Sequence, residues 1–358
     1  MQRPMARTTR RHFLAMAGTG ALALSTTEAL AQQPVAKVRK HNTPELEPDT
    51  SPGPHVLKFD FPALHIGSAV YKEGPTGCTV FSFPKGATAV ADIRGGAPAT
   101  IYTDHLQERS AYVDAICLAG GSSYGLEAST GVAAELLAQR GYSTAWQEIA
   151  GVTGAIIFDY RPRDNAIYPD KELGRAALRA AAPGVFPLGA RGVGVAATCG
   201  KFLLPDYQWE LAGQGGAFHR TGPTRIAVFT VVNSFGAILD RQGRVVRGFL
   251  DAKTGKRQPV PDLRQGDKAP AQEKGNTTLT VLVTNQKMAP DDLRQVARGV
   301  HASMARAIQP FHGPNDGDVL FAATTDEVDN PALNPLRLTA IASECAWDAV
   351  LNCFTGRT

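Results

Sequence analysis

Short β-branched and apolar runs alternate along this chain with alanine-rich amphipathic stretches, a pattern that predicts an α/β protein built in layers. Cys78–Phe83 and Ala89–Ile93 read as two strands joined by a turn at Pro84-Lys85-Gly86. Tyr112–Leu118 is a further strand that meets Gly120-Gly121, and a helix follows from about Leu126 to Gln139. Lys171 to Ala181 predicts a second helix, closed by Pro183-Gly184. Ile226 to Asn233 is a strongly β-branched strand, and Ala237–Asp240 with Arg244–Val246 forms a hairpin turning at Gln242-Gly243.

Two polar segments interrupt this order. Gln32 to Pro54 is punctuated by proline and reads as an extended arm. Lys256 to Lys274 is rich in Pro, Gln, Asp and Lys, has no usable periodicity, and reads as an exposed linker. It stops at Gly275-Asn276, where a strand opens with Thr277. A helix then runs from about Pro290 to Ile308, with the proline at its start and Asp291 and Asp292 suited to its dipole. Val319–Thr325 is a strand, and Asn334-Pro335 opens a last helix. A break after Asn276 would therefore nick one domain in a loop feeding a core strand; it would not separate two domains.

The first residues read as an address, not as structure. Thr9-Arg10-Arg11-His12-Phe13-Leu14 is a twin-arginine pattern, an apolar stretch runs from Ala15 to Leu24, and Ala29-Leu30-Ala31 offers a small-x-small cleavage site. That stretch is too short and too rich in Gly, Ala and Thr to span a bilayer. The expectation is a signal over residues 1–31 and a mature periplasmic protein beginning near Gln32. Loss of Arg3, Arg7, Arg10, Arg11 and Glu28 lowers the formal charge from +4 to +1. No basic patch then argues for nucleic acid, and no second apolar segment argues for a membrane. Cys78, Cys117, Cys199, Cys345 and Cys353 form an odd set without CxxC spacing, so neither a disulfide framework nor a metal site is expected.

Two hydroxyls compete for the role of nucleophile. Cleavage between Asn276 and Thr277 would leave Thr277 with both a hydroxyl and a free α-amine to serve as its base. Thr is also an ordinary residue with which to open a strand. Gly121-Ser122-Ser123-Tyr124-Gly125 matches the Gly-x-Ser-x-Gly elbow between a strand and a helix, which would make Ser123 the nucleophile of an α/β-hydrolase-type esterase or amidase. Such an enzyme needs a histidine further along, and His219, His301 and His312 are available. The plainer reading has Gly120 and Gly121 making a tight turn, with Ser122 or Ser123 capping the helix.

Asp92-Ile93-Arg94-Gly95-Gly96-Ala97-Pro98-Ala99-Thr100 resembles the signature of the self-processing D-aminopeptidase and β-peptidyl aminopeptidase family, which includes the nylon-oligomer (6-aminohexanoate-oligomer) endohydrolases. Gly77-Cys78-Thr79-Val80 before it, then Ala119-Gly120-Gly121-Ser122, Cys199-Gly200-Lys201, Asn233-Ser234-Phe235-Gly236 and Asn276-Thr277 fit the same family in the same order. The resemblance implies an N-terminal-nucleophile-like, four-layered αββα sandwich. It also implies one domain nicked into an α fragment, residues 32–276, and a β fragment, residues 277–358, that stay together and form homo-oligomers. It assigns no cofactor and no metal. Thr277 aligns with the nucleophile and Asn276 with the residue before the cut. Asn233 matches the asparagine whose amide helps hold the oxyanion, Lys201 the lysine closing the Gly-rich segment, and Asp316 and Asp318 the acidic pair. Tyr160 matches an active-site tyrosine more loosely.

The activity implied is amide hydrolysis on short peptides or ω-amino-acid oligomers. Before cleavage a carboxylate, Asp316 or Asp318, would help the Thr277 hydroxyl attack the Asn276 carbonyl. Afterwards the α-amine, with an unperturbed pKa of about 8, acts as base while Asn233 donates to the oxyanion. Lys201 would depress the pKa of the amine, and the aspartates would orient it. Asp316-Gly317-Asp318 also resembles part of a calcium loop, but the other ligands of that loop are missing. Relatives carrying Thr-Arg-Glu-Thr-Asp differ from this chain's Thr100-Ile101-Tyr102-Thr103-Asp104, so contacts made by that Arg and Glu are not carried over. A family member that has lost its chemistry and serves as a binding protein is the remaining alternative.

Overall fold

Alternate residues of the central strands face two different cores, and that alternation generates the layers. A computed structural model describes residues 39–262, 264 and 274–357; the signal reading and most of the linker lie outside the described residues. The main strands are β1 (His65–Tyr71), β2 (Thr76–Ile93), β3 (Ala111–Ala119), β4 (Val152–Ile156), β5 (Gln214–Thr221), β6 (Thr224–Asn233), β7 (Thr277–Gln286) and β8 (Val319–Val328). The main helices are α1 (Glu127–Gln139), α2 (Lys171–Arg179), α3 (Pro290–Ser303) and α4 (Pro335–Asn352).

Leu279, Val281 and Val283 of β7 join Ala227, Phe229 and Val231 of β6 and Phe81, Ile116 and Leu118 of β2 and β3 in a central apolar layer. The opposite faces of β6 and β7, through Ile226, Val228 and Leu282, pack on Leu293, Val296 and Val300 of α3 and Leu338, Ala346 and Val350 of α4. On the other side Val80, Ala115 and Cys117 pack on Val132 of α1 and Leu173 and Ala177 of α2. Three stacked cores separate four layers in the order αββα, as the resemblance implies. Each fully buried Val, Leu, Ile or Phe contributes about 1.5–3 kcal/mol, so the layers themselves are the main source of stability.

The expected turn at Pro84-Lys85-Gly86 is instead part of one strand of 18 residues. Exposed Pro84 and Lys85 lie where the β2–β3 register shifts, between Ser82 and Ala87. β2 pairs with β3 on both sides of the shift, through Ala89; its other edge pairs with β1 before the shift and, over Thr88–Ile93, with β8 after it. A turn signature thus marks an irregularity that carries one strand from one sheet layer into the other. The predicted helices are present, although the third gives way to a 3-10 turn at Met304–Arg306 instead of continuing to Ile308. Asn334 caps α4 by accepting from the Arg337 N–H, as its position before Pro335 suggests. All five cysteines are free and buried.

Register brings three strand ends together. β6 is antiparallel to β7, with Asn233 opposite Thr277, whereas β8 is parallel to β7, with Val319 beside Leu279. The last residue of β6, the first of β7 and the loop entering β8 therefore meet at one edge of the sheet. Asn276 extends the contact by a parallel bridge to Asp316.

Candidate active site

Thr277 lies at that meeting point, buried, in an unbroken chain. Its Oγ1 donates to the carbonyl oxygen of Asn276 at 2.5 Å, so the hydroxyl sits against the bond that would be cut. The same carbonyl oxygen accepts from the backbone N–H of Gly317 at 2.8 Å. A donor aimed at the oxygen where charge develops in acyl transfer is what an oxyanion site requires. A Cβ at 317 would stand 2.6 Å from Thr277 Oγ1, so any side chain there would press on the hydroxyl. Sequence reasoning passed over Gly317; its position between two candidate carboxylates was the available signal.

Asp318 and Asp316 have different surroundings. Asp318 Oδ1 accepts from the Thr278 N–H at 2.6 Å, and its Oδ2 accepts from the backbone N–H and Nδ1 of His312 at 3.2 and 3.0 Å. Asp316 Oδ2 accepts from the Gly313 N–H at 2.6 Å. Burial, and then the nearby charge of Asp318, push the Asp316 carboxyl up to about 6, against the opposing pull of the Gly313 bond, Lys201 and His312. A carboxyl poised there is suited to exchanging a proton near neutral pH. The loop carrying this pair rests on the Arg94-Gly95-Gly96-Ala97 segment: Arg94 and Gly95 donate to Asp318 O, and Ala97 donates to Asp316 O at 2.8 Å. A Cβ at 95 would fall 2.2 Å from Asp316 O, which accounts for a glycine in that part of the signature.

Lys201 and Asn233 form a buried pair beside these groups. Lys201 Nζ donates to Asn233 O at 2.9 Å and to Asn233 Oδ1 at 3.2 Å. Thr198, through its N–H and its hydroxyl, donates to the same Oδ1. With Oδ1 surrounded by donors, the Asn233 amide nitrogen is turned the other way, donating to Phe158 O at 3.0 Å and Gly275 O at 3.1 Å. In the unbroken chain Asn233 thus holds the residue before Asn276, while Gly317 holds the Asn276 carbonyl.

Tyr160 lies further out. Its hydroxyl donates to Gly121 O at 3.3 Å, the Arg163 guanidinium lies 3.9 Å from its ring centre, and its link to the cluster is the edge-on contact with Phe158. Ser123 is exposed in the 3-10 turn Ser122–Leu126, where neither it nor Ser122 provides a side-chain cap. His219 hydrogen-bonds Thr221, His301 pairs with Asp92, and His312 with Asp318, so among the described residues no histidine contact builds a triad around Ser123. Gly121, at φ 77°, does make the tight turn expected of it. No group of three or more His, Cys, Asp or Glu able to hold a metal occurs among the described residues.

Residues 59–355 match the model of peptidase family S58. The chain belongs to this family. It is 46% identical over 347 residues to the 6-aminohexanoate-oligomer endohydrolase of Agromyces sp. (strain KY5R), covering 93% of this chain and 95% of that protein. Among solved structures, a β-aminopeptidase of Burkholderia sp. superposes with TM-score 0.61 at 15% identity, over 85% of this chain and 87% of its own. The L-aminopeptidase D-Ala-esterase/amidase of Ochrobactrum anthropi, described as a new variant among the Ntn hydrolase fold, superposes with TM-score 0.57 at 15% identity, over 81% and 83%. At that identity the two structures establish the fold alone, which is that of Ntn-type aminopeptidases. Family membership makes the chain a peptidase or amide hydrolase.

Proposed function

We propose that this chain is a self-processing amide hydrolase whose nucleophile is Thr277, released as a new N-terminus by cleavage after Asn276. The observation that carries the reading is one carbonyl oxygen: Asn276 O, touched by Thr277 Oγ1 at 2.5 Å and by the Gly317 N–H at 2.8 Å. Attack of Oγ1 on the Asn276 carbonyl carbon, with its proton taken by Asp316 and passed to the departing Thr277 nitrogen, breaks the C–N bond by an N-to-O acyl shift. Water then opens the ester, leaving a carboxylate on Asn276 and a free amine on Thr277.

In the mature enzyme the Thr277 amine takes the proton of its own hydroxyl, Oγ1 attacks the substrate amide, and the leaving amine is protonated as the acyl-enzyme forms. The Gly317 N–H is available to the developing oxyanion. Departure of Gly275 frees the Asn233 amide, which then serves the same purpose. Lys201 orients Asn233 and adds positive potential to the site.

The substrates that fit this reading are short peptides and, from the kinship with the 6-aminohexanoate-oligomer endohydrolases, linear ω-amino-acid oligomers. Fragments 32–276 and 277–358 stay associated, because β7 is hydrogen-bonded to β6 and β8 to β2, two strand pairs that cross between the fragments. The pair assembles further into homo-oligomers and works in the periplasm, reached by the twin-arginine route.

N-terminal sequencing of the purified protein tests the proposal. Two fragments are expected, the second starting at Thr277, and Thr277→Ala should leave a single inactive chain. One intact and active polypeptide would overturn it and return attention to Ser123.

A further inference from the structure

Behind the Thr277 site runs a buried row of side chains to which the chemistry above gives no role. Asp318 is its near end. One carboxylate oxygen holds the Thr278 N–H at 2.6 Å, and the other accepts from His312 Nδ1 at 3.0 Å. The His312 ring packs 3.8 Å from Phe311, and edge-on to His301 with the ring centres 4.5 Å apart. His301, fully buried on α3, holds Asp92 Oδ2 through its Nδ1 at 2.9 Å, and Arg94 holds the same carboxylate at 2.6 Å.

Both imidazoles face a carboxylate through Nδ1, so the hydrogen of each ring belongs on that nitrogen. Their Nε2 atoms are buried without a hydrogen-bond partner among the described residues. The rings therefore act through Nδ1, toward the two aspartates. His312 has φ 61°, a left-handed conformation that costs a residue with a side chain about 1–2 kcal/mol. Its surroundings hold it there, and the result is an N–H aimed at Asp318.

We infer that His312 is a positioning residue of the amide-hydrolysing reaction: it fixes the Asp318 carboxylate against the Thr278 amide and so holds Thr277 at the carbonyl it attacks. Asp318 grips the backbone of the residue immediately after the nucleophile, so rotation of its carboxylate moves the start of β7. A misplacement of about 1 Å at a reacting atom can lower the rate about 100-fold. Phe311 and His301 on either side limit how far the His312 ring can turn. The inference rests on Thr277 being the nucleophile.

Two amide substitutions separate positioning from mere space-filling. His312→Asn puts an N–H close to where Nδ1 stands and tolerates positive φ, whereas His312→Gln places its amide nearer Nε2. Each variant is prepared as full-length chain. The rate of fragment appearance is followed first, and then kcat and KM on a linear 6-aminohexanoate oligomer, with thermal melts of both. His312→Asn is expected to process and turn over close to wild type. His312→Gln should lose about tenfold or more in kcat and in processing, the worth of one hydrogen bond to a charged group, with KM unchanged. Equal rates for Gln and wild type, or equal loss in Asn and Gln at wild-type melting temperature, would overturn the inference. If His312→Gln does not fold, His312→Phe takes its place as the variant with no donor at the Nδ1 position; if His312→Asn does not fold, wild type is the donor against Gln and Phe, and wild-type kcat in either would overturn the inference. A wild-type chain that is never cut at Thr277 would instead remove the underlying reading, before any variant is compared.

Discussion

The side-chain amide of Asn233 donates to the carbonyl of Gly275 at 3.1 Å, so before cleavage the asparagine grips the segment that cleavage will release. Its amide oxygen accepts from Thr198 and Lys201, which prevents the amide from flipping. Asn233→Asp places an oxygen where the nitrogen now faces two carbonyls, of Phe158 and Gly275. Processing should fall by about 100-fold, the scale of misplacing the reacting segment by about 1 Å. Following the intact chain over time by gel checks this; wild-type processing in the Asp variant would remove Asn233 from the mechanism.

Gly317→Ala tests the donor that pattern reading missed. The added carbon would lie 2.6 Å from Thr277 Oγ1 and 3.1 Å from Ala97 O. Because the clash falls on the nucleophile, the expected result is a folded precursor that stays in one piece, its melting temperature within a few degrees of wild type. A variant that is cut at the normal rate would mean that the loop moves aside and that the Gly317 N–H is dispensable.

What was legible in the sequence was whatever depends on order and residue type. Strand and helix positions, the Asn334 cap and the Thr277 strand opening follow from local propensity, and the ordered motifs led to the right family. Legibility failed where one structure serves two neighbours. Pro84-Lys85-Gly86 has turn composition, but a strand shared by two sheet layers uses those residues at its register shift. Gly317 and His312 act through a backbone N–H and a buried ring nitrogen whose partners arrive from distant segments, and no periodicity encodes such meetings. Tyr160 was read from a loose alignment, and its hydroxyl donates to Gly121 O.

Gly275→Ala should separate processing from turnover. Gly275 has φ 79°, and a Cβ there would come 2.8 Å from the Phe158 ring. A left-handed conformation and a close aromatic wall both argue against any side chain. The alanine variant should accumulate precursor. Once cut, it should hydrolyse substrate at nearly the wild-type kcat, because residue 275 then belongs to the released end of the other fragment. Loss of kcat in fully processed material would contradict this.

Ser123→Ala should leave processing and kcat essentially unchanged. The hydroxyl is exposed and is built into no triad. A dead Ser123→Ala enzyme with normal fragments would move the chemistry to the 121–125 turn.

Asp316 should set both a processing limb and a stability penalty, with opposite consequences for its substitution. Its carboxyl is raised by burial and by Asp318 from 3.8 to about 6, so the basic form needed to accept a proton is lost as pH falls through about 6. Processing should decline across that range. Stability has the opposite sign: the folded state binds this proton more tightly than the unfolded chain does. The contribution is therefore fully present below the unfolded value of 3.8 and disappears as pH rises through about 6. Above that pH the buried charge costs on the order of 3 kcal/mol relative to an unperturbed carboxyl. Asp316→Asn keeps an oxygen for the Gly313 N–H but carries no charge. It should melt several degrees higher than wild type at pH 7.5, lose that advantage near pH 4, and fail to process at any pH. Melting curves at the two pH values, set beside a gel of the same samples, check the whole pattern. An Asn variant that is less stable than wild type at pH 7.5 would show that the Asp316 carboxylate is stabilised in place, and a variant still cut would assign the proton transfer to another group.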